Sequence, residues 1–451
     1  MWQAIGTLLI SAAGGLPNEI ITVAAPSGDA GVPAVHEAHL NSAVVASALD
    51  VDESPVTADS WQDSPLVVGD GGTPATASNG LELGQWFAGP RIFNSYWDPV
   101  GGRSPTDWVW GYGPECQVAT ARLEWLLWFS RGRNSPILAH TINAKGAILD
   151  YPVEPIGQDM RNGGRITVGH ILADQVTWAE GRFWGLEDGS EKFVVQSNTL
   201  PILAQPVFNV STGRAGNVLI AAPGFATGSI SVLSKNDLIG ADAWLRRPWW
   251  DDGYHRFSLL AGYQFTRLDD SLVINRSSTS LAPINPSTVV LQDSFRTQNE
   301  FHGASIGFAS NLRRNCVSLE VLSKVGLGDM HETVIINGST TVSQSGSPTQ
   351  TSAHGIFAQS SNAGIYNRHR FAAVPEVNLN GIVHLSPQWQ LLAGYSIIYW
   401  SNAALAGNQI DTRVNFSQFP GPVVGPLRPT FTFNRSDFLV QGLSLGAEYC
   451  W

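Results

Sequence analysis

The last fourteen residues of the chain alternate between two kinds of side chain. They read FLVQGLSLGAEYCW, and the odd-numbered positions are nearly all apolar and end in Tyr449 and Trp451. The even-numbered positions are mostly small or polar and include Glu448. Because successive side chains of a β-strand point to opposite faces, this stretch is predicted to be a two-faced strand. An apolar face ending in aromatics favours the lipid side of a membrane barrel, and the alternative is an edge strand of a soluble sheet.

The same alternation occurs in nine earlier segments, so ten strands are predicted, with twelve as the alternative. The first segment, ATARLEWLLWF, also suits a helix, but the strand is preferred because later segments repeat its design. The predicted strands lie within residues 119–129, 165–172, 177–184, 239–246, 256–266, 303–308, 317–327, 376–383, 389–399 and 438–451.

The connections between these strands alternate in length. Long ones cover residues 130–163, 187–227, 275–292, 338–367 and 401–435, and short ones lie near 174, 248–253, 311–315 and 385–387. Short turns at one end and long loops at the other are typical of outer-membrane barrels, whereas a soluble sandwich has no reason to sort its loops. We therefore expect residues 117–451 to form an all-β, antiparallel up-and-down transmembrane barrel. An even strand number places both of its ends on the short-turn, periplasmic side.

Composition supports a β-rich chain and argues against other classes. Only 14% of the 451 residues are charged, 46 are Gly, and we find no run of eighteen apolar residues that would form a spanning helix. The first 90 residues hold ten of the 37 acidic residues and no Lys or Arg. The remainder is balanced, which argues against a nucleic-acid partner.

The part of the chain before the barrel is predicted to have two segments. Residues 1–82 combine a signal-like start, at 5–13, with a disordered acidic linker rich in Ala, Ser, Gly and Pro. The signal-like start lacks a basic region, so a longer leader is an alternative. Residues 83–116 are rich in aromatics, and we expect this periplasmic segment to pack against the barrel mouth or to plug it.

Charged residues fall on the inward face of the predicted strands. They are Arg122, Glu124, Glu180, Arg182, Asp242, Arg256, Glu320, Lys324, Glu376 and Glu448. Ten strands enclose little free volume, because eight are filled by side chains and open channels need about sixteen. We interpret these residues as a paired polar core, since an unpaired charge would be costly in a dry lumen. The alternative is a narrow solute path lined by the same residues.

The remaining chemistry-bearing residues give weaker signals. Asp269 and Asp270 are predicted near the top of one strand and His331 and Glu332 near the top of another, which raises a rim-protease hypothesis. Asp-Asp after a strand is also ordinary loop chemistry, so no catalytic residue is assigned and no enzyme is expected. No metal or cofactor motif is found, and His170 on the lipid side is expected at an interface.

Two of the three cysteines are predicted to lie at the periplasmic ends of strands that meet where the barrel closes. Cys116 and Cys450 both have the inward parity, and an oxidising compartment permits a disulfide between them. The alternative is two free thiols displaced by the stagger of the barrel. Aromatics are expected in two belts: Phe129 and Tyr399 at the loop ends, and Trp389, Tyr449 and Trp451 at the turn ends.

Several segments also resemble a known family. GGRITVGHILAD, LAGYQFTRLDD, RHRFAAVPEVNLN, LLAGYSIIYWSN and the terminal strand are similar, in order and spacing, to the seventh numbered family of bacterial outer-membrane β-barrel porins. The resemblance covers about residues 116–451. It implies a barrel in the bacterial outer membrane, and it supplies neither a substrate nor catalytic residues.

We therefore expect an outer-membrane barrel that is a narrow, porin-like channel or a structural, surface-display barrel. A surface ligand-binding or adhesin-type barrel is the second hypothesis, favoured by five long external loops, and a rim enzyme is the third. The expected partners are outer-membrane lipid and, through the C-terminal strand, the barrel-assembly machinery. The sequence leaves the solute, the ligand and the oligomeric state open.

Overall fold

Sixteen β-strands form in the part of the chain that the computed structural model describes, which is residues 118–142, 148–198, 200, 202–281, 286–418 and 422–451. In chain order they are β1 (Ala119–Ser130), β2 (Ala139–Ile142), β3 (Ile148–Tyr151), β4 (Met160–Ile171), β5 (Trp178–Gln196), β6 (Ile202–Asn209), β7 (Arg214–Ala221), β8 (Ala226–Asp251), β9 (His255–Ser280), β10 (Ser287–Arg314), β11 (Val317–Gln344), β12 (Gln350–Ser352), β13 (Gly364–His384), β14 (Trp389–Ala403), β15 (Arg413–Val414) and β16 (Ser436–Cys450).

Ten of these strands form a closed antiparallel ring. Its order is β1-β4-β5-β8-β9-β10-β11-β13-β14-β16, and β16 returns to pair with β1. The closing register places Thr120 opposite Cys450 and Ser130 opposite Val440, so the terminal strand is paired along its length. Closure leaves no exposed edge in the wall, and the predicted number of ten strands is confirmed.

The outer face of the ring carries a broad apolar band. Odd-numbered residues of β1, such as Leu123 and Trp125, point outward and are 62% and 51% exposed. Phe183 on β5, Ile306 on β10 and Leu443 on β16 continue the band around the ring and are also exposed. So much exposed apolar surface on a continuous wall fits contact with lipid, because the hydrocarbon there substitutes for a protein core.

Strands β8 to β11 extend well past this band, each with 26 to 28 residues, although about 9–11 suffice to cross a bilayer. In the extension the two faces exchange polarity. On β9, Leu272 and Ile274 point inward and are buried, whereas Ser271 and Asn275 lie on the outward face. The predicted loop at 275–292 was therefore wrong in its bounds, because both flanking strands continue to Ser280 and from Ser287.

The extended wall covers a second, smaller sheet at the end of the ring that carries the long connections, called here the loop end. In this sheet β6 pairs with β2, β7 and, in parallel, β15, and β3 pairs with β2. Its apolar residues, including Leu203 and Ile220, pack against Ile230 and Phe295 of the wall to form one buried cluster. The loop end is thus a folded β-subdomain rather than a set of separate loops.

The opposite end, called here the turn end, has short connections and aromatic residues. Trp389 packs against Tyr449 with ring centroids 5.0 Å apart, and Tyr449 lies 5.6 Å from Trp451. In the turn after β4, Asp174 accepts hydrogen bonds from the N–H groups of Val176 and Thr177. In the described residues no helix is long and apolar enough to cross a membrane.

The predicted segments at residues 1–82 and 83–116 lie outside the described residues. They stay predictions, as does the start of the barrel at residue 117.

Candidate functional site

Arg182 joins opposite sides of the ring. Its guanidinium donates two hydrogen bonds to Asp242 on the neighbouring strand β8, at 2.9 and 2.7 Å. It also donates to both carboxylate oxygens of Glu376 on β13, at 2.6 and 2.7 Å. Strand β13 is the fifth neighbour of β5 in either direction around the ring. The interior is therefore crossed along a full diameter by direct contacts between side chains.

Lys324 completes this central cluster from a third side. Its ammonium group lies 2.5 Å from Asp242 Oδ1 and 3.3 Å from Glu376 Oε2. Lys324 Nζ and the Arg182 guanidinium also lie 5.1 and 5.3 Å from the ring centroid of Trp244, within the range of cation–π interactions. Two cations thus face two carboxylates, and all four side chains are buried.

A second buried pair crosses the interior beside the central cluster. Arg165 on β4 makes a bidentate contact with Glu124 on β1, with both hydrogen bonds at 2.6 Å. The remaining donors of Arg165 reach Asn378 Oδ1 at 3.0 Å and Ser396 Oγ at 3.2 Å. These contacts connect β4 with β13 and β14 across the ring, and bidentate geometry makes the pair strong.

A third cluster lies toward the turn end and has more acid than base. Arg122 contacts Glu448 and lies 3.1 Å from Glu320, and Arg246 lies 2.9 Å from Glu180 and 3.3 Å from Glu320. Glu320 therefore bridges two arginines that come from β1 and β8. Three carboxylates share two guanidinium groups, so this cluster has a formal net charge of −1.

An apolar layer follows on the loop-end side of the charged clusters. Trp128, Trp184 and Trp400 lie in it with centroid separations of 5.4 Å and 6.4 Å along the series. Trp400 Nε1 donates to Thr266 Oγ1 at 2.8 Å, and Phe438 packs against Trp400. Leu268, Phe301 and Met330 fill the facing wall and are fully buried. Large side chains from both sides therefore meet across the interior.

A buried carboxylate fastens two of the long connections above this layer. Asp270 contacts Arg133, from the connection after β1, and accepts a hydrogen bond from the N–H of Ala406, after β14, at 2.9 Å. Arg133 also donates to Ser234 Oγ at 2.9 Å. Asn299 makes two hydrogen bonds with the backbone of Ala404, at 2.9 and 2.7 Å. The wall thereby holds the loop-end connections over its own lumen.

The structure brings together nine of the ten predicted lumen residues in these clusters. Arg256 is the exception, because it lies beside the turn after β8, pairs with Asp251 at 2.6 Å and is partly exposed. Two central residues were missed by the sequence analysis: Arg165 and Arg246. Both could have been predicted from the alternation along their strands, because Arg165 is next to the outward apolar residue Ile166 and Arg246 is next to Leu245.

The structure does not bring together Asp270 and His331, two residues of the rim-protease hypothesis. Asp270 points inward to Arg133, whereas His331 lies on the outer face, stacked on His369 at 4.5 Å and 3.9 Å from Glu300. Asp269 pairs with Arg267, and Glu332 with Arg368. In the described residues no group of three or more His, Cys, Asp and Glu side chains is arranged to hold a metal ion.

The cysteine prediction falls partly outside the described residues. Cys450 takes part in a disulfide bond and Cys316 is a free, exposed thiol at the turn between β10 and β11. Cys116 is not among the described residues, so its pairing with Cys450 stays a prediction.

Comparison with known proteins places this architecture among membrane barrels. The model of the family described as "Putative beta barrel porin-7 (BBP7)" matches residues 121–451. No curated protein matches the chain.

Among solved structures, the outer membrane protease OmpT of Escherichia coli is similar at 10% identity and a TM-score of 0.35, over 74% of this chain and 97% of that one. The toluene transporter TodX of P. putida is similar at 7% identity and a TM-score of 0.16, over 74% and 90%.

Proposed function

Since the chain belongs to the beta barrel porin-7 family and is a β-barrel protein of the bacterial outer membrane, we propose that it is a closed barrel that presents a folded β-subdomain at the cell surface. In this proposal the barrel is an anchor in the lipid rather than a passage for solutes. The loop end faces the outside, as in other outer-membrane barrels, whose long loops are extracellular.

The observation that carries the proposal is the contact between Arg182 and Glu376. The two side chains come from opposite strands of the ring and meet at 2.6 and 2.7 Å, a distance that leaves no room for a solute between them. A charged path for ions would need side chains that line the wall and keep the axis free. Here the charges meet one another across the axis.

Two further features support closure. The indole layer of Trp128, Trp184 and Trp400 lies in series with the charged clusters, so a solute would have to cross both. Above it, the connections held by Asp270 and Asn299 cover the external mouth. A hydrophobic constriction opposes ions, and a paired polar cluster opposes apolar solutes, so the combination opposes both classes.

Presentation is supported by how the external subdomain is built. Its sheet shares a buried cluster with the wall strands, which fixes its position relative to the membrane. Surface regions that bind other molecules are commonly placed on such a rigid scaffold. We further propose that the protein has no enzymatic activity, and that the barrel-assembly machinery recognises the terminal strand β16 during insertion.

Planar bilayer recording tests the proposal. Purified protein, inserted into bilayers, is expected to give no discrete conductance steps. The comparison variant replaces Arg182, Lys324 and Glu376 with Gly and Trp128, Trp184 and Trp400 with Ala, which removes the central crossing and the indole layer but keeps the Arg165–Glu124 pair. Conductance steps that appear only in this variant would show that the removed groups close the lumen. Labelling the exposed thiol of Cys316 with a fluorophore counts the inserted molecules in both cases. Regular steps from the wild-type protein at normal insertion would refute closure and favour a narrow channel.

A further inference from the structure

A cavity of about 450 Å³ opens at the external rim, where β14, β16 and the connection after β1 come together. Leu405 and Phe438 lie at its base and are both buried, so most of the lining that a ligand would meet is polar. Its sides are polar and include Arg131, Arg435 and Asn402. A concave site in which several polar groups converge fits a small polar ligand.

The cavity has an excess of unpaired positive charge. Neither Arg131 nor Arg435 makes an ion pair with any carboxylate in the described part of the chain, and both are exposed. Asp437 is the acidic residue of the lining and lies near Tyr399. Two guanidinium groups therefore border the cavity against one carboxylate.

The wall is distorted where it borders the cavity. A bulge in the pairing of β14 with β16 lies between Trp400 and Ala403, and Asn402 within it has a φ of +60°. Asn402 Oδ1 accepts a hydrogen bond from Arg435 Nη1 at 3.4 Å, and its Nδ2 donates to the carbonyl of Phe371 at 3.4 Å. Bulges redirect side chains, and left-handed non-Gly residues cluster at ligand sites.

From this geometry we propose that the cavity binds a phosphorylated sugar. The planar forks of Arg131 and Arg435 match phosphate oxygens, for which guanidinium groups are well suited. Asn134, Asn402 and Ser436 offer amide and hydroxyl groups to the hydroxyls of a sugar ring. The volume exceeds that of a phosphate alone and leaves room for a sugar ring beside it.

The same chemistry is available from two sources. Phe371, whose carbonyl holds Asn402, is 70% exposed on the outer face, so the cavity lies beside lipid-facing surface. A phosphorylated headgroup of an outer-leaflet glycolipid is therefore within reach, and so is a free sugar phosphate from the medium. The proposal does not depend on whether the lumen conducts.

Binding experiments on the full chain separate these sources. Calorimetric titration of the detergent-solubilised protein uses glucosamine 1-phosphate, with glucosamine as the unphosphorylated match. Native mass spectrometry after reconstitution in phosphatidylcholine nanodiscs measures retention of added lipid A, a phosphorylated glycolipid. The variant is R131Q/R435Q, and the control is R296Q, which changes an exposed arginine on the outer face of β10. Heat-modified electrophoretic mobility checks that each variant is folded.

We expect binding in at least one arm and a loss of about tenfold or more in R131Q/R435Q, since the charge-assisted hydrogen bonds to the phosphate are removed. R296Q should bind as the wild type does. Retention of lipid A alone identifies the headgroup, and titration by glucosamine 1-phosphate alone identifies a soluble ligand. Absence of binding in both arms, or equal loss in the variant and the control, would overturn the proposal.

Discussion

The three charged clusters in the interior of the ring contain five cationic side chains and six carboxylates, and single residues hold them together. Arg182 is the central one, because it faces two carboxylates from opposite walls. Burying ions costs several kcal/mol each, and the cost is offset only while every charge keeps its partners. The arrangement is therefore sensitive to loss of one partner and much less sensitive to changes at the surface.

Replacing Arg182 with Met should destabilise the barrel by about 3–5 kcal/mol, because Asp242 and Glu376 would share Lys324 alone. Arg267→Met is the control, since Arg267 pairs with Asp269 at the surface and such pairs contribute about 1 kcal/mol or less. Guanidinium unfolding in lipid, followed by tryptophan fluorescence, measures both. Similar losses in the two variants would show that the interior is hydrated and loosely paired.

Asp411 gives the external connection after β14 a dependence on pH. Burial opposes its ionisation, but hydrogen bonds from Arg413, the Thr430 N–H and Arg428 outweigh it, so its pKa is lowered. A carboxyl whose pKa is lower in the folded protein stabilises it above the unfolded pKa of about 3.9 and loses this effect as pH falls through the folded value. Acidification should therefore release this contact.

The difference in unfolding free energy between wild type and Asp411→Asn measures that effect. It should be positive at neutral pH and smaller at a pH well below the unfolded value of about 3.9, because the wild-type carboxylate then loses its charge as pH falls through the folded pKa. A difference that is the same at both pH values would mean that the charge of Asp411 is not what holds Arg428 and Thr430.

Successive side chains of a strand point to opposite faces, so odd or even position in the sequence predicted which of these charged residues face the interior. Glu124, Arg182 and Lys324 were all placed correctly on the inner face by alternation alone. Arg256 has the same parity, but it lies where the wall ends at a turn, and there parity no longer decides exposure. The partner of each charge was beyond prediction, since Arg182 and Glu376 are 194 residues apart and meet only when the ring closes.

At the scale of the strand, the lack of a side chain at Gly240 leaves room for the indole of Trp184 on the neighbouring strand. A Cβ added at Gly240 on β8 would lie 2.3–2.5 Å from three atoms of the Trp184 indole. Gly181 on β5 has the outward parity, and a Cβ there would meet Val168 Cγ2 at 3.9 Å, an ordinary contact. The Trp184 indole therefore occupies the space that a side chain at position 240 would fill.

Gly240→Ala should cost about 1–3 kcal/mol, because Trp184 must move out of its place in the layer. Gly181→Ala should stay within about 0.5 kcal/mol of the wild type. Unfolding in lipid measures both, and near-ultraviolet circular dichroism reports the packing of Trp184. An unchanged near-ultraviolet tryptophan signal in Gly240→Ala would show that the added methyl group fits without moving Trp184, and that the indole layer is loosely packed.

Strand length was the part of the fold that alternation did not predict. Segments such as 303–308 were recognised because outward residues there are apolar and inward ones small. Toward the loop end of β10 the polarity of the two faces is exchanged, with Phe295 inside and Arg296 outside. An apolar outward face therefore no longer marks the strand beyond that point. The register confirms that the strand continues, because β10 pairs with β11 from Ser287 to Arg314.

At the scale of the whole molecule, the exposed apolar band defines the height of the membrane. Leu443 on β16 lies within the band, and Ser294 on β10 has the outward parity in the extended part of the wall. Leu443→Lys should cost about 2–4 kcal/mol if it lies near the midplane, whereas Ser294→Lys should cost about 0–1 kcal/mol because its side chain meets water.

Unfolding in lipid vesicles measures this contrast, and detergent micelles are the comparison in which the contrast should shrink. If Ser294→Lys proved as costly as Leu443→Lys, the extended wall would lie in the hydrocarbon and the assigned membrane height would be wrong.

The inversion of polarity along β8 to β11 has a consequence for how the molecule is made. Side chains such as Ile230 and Leu272 find their partners in the small sheet, whose strands come from connections that must first pass through the bilayer. During that passage neither surface is covered by the other. In the proposed orientation the two surfaces pack together on the outer side of the membrane, and drawing the hairpins back would expose that whole apolar interior to water again, which opposes the reverse step.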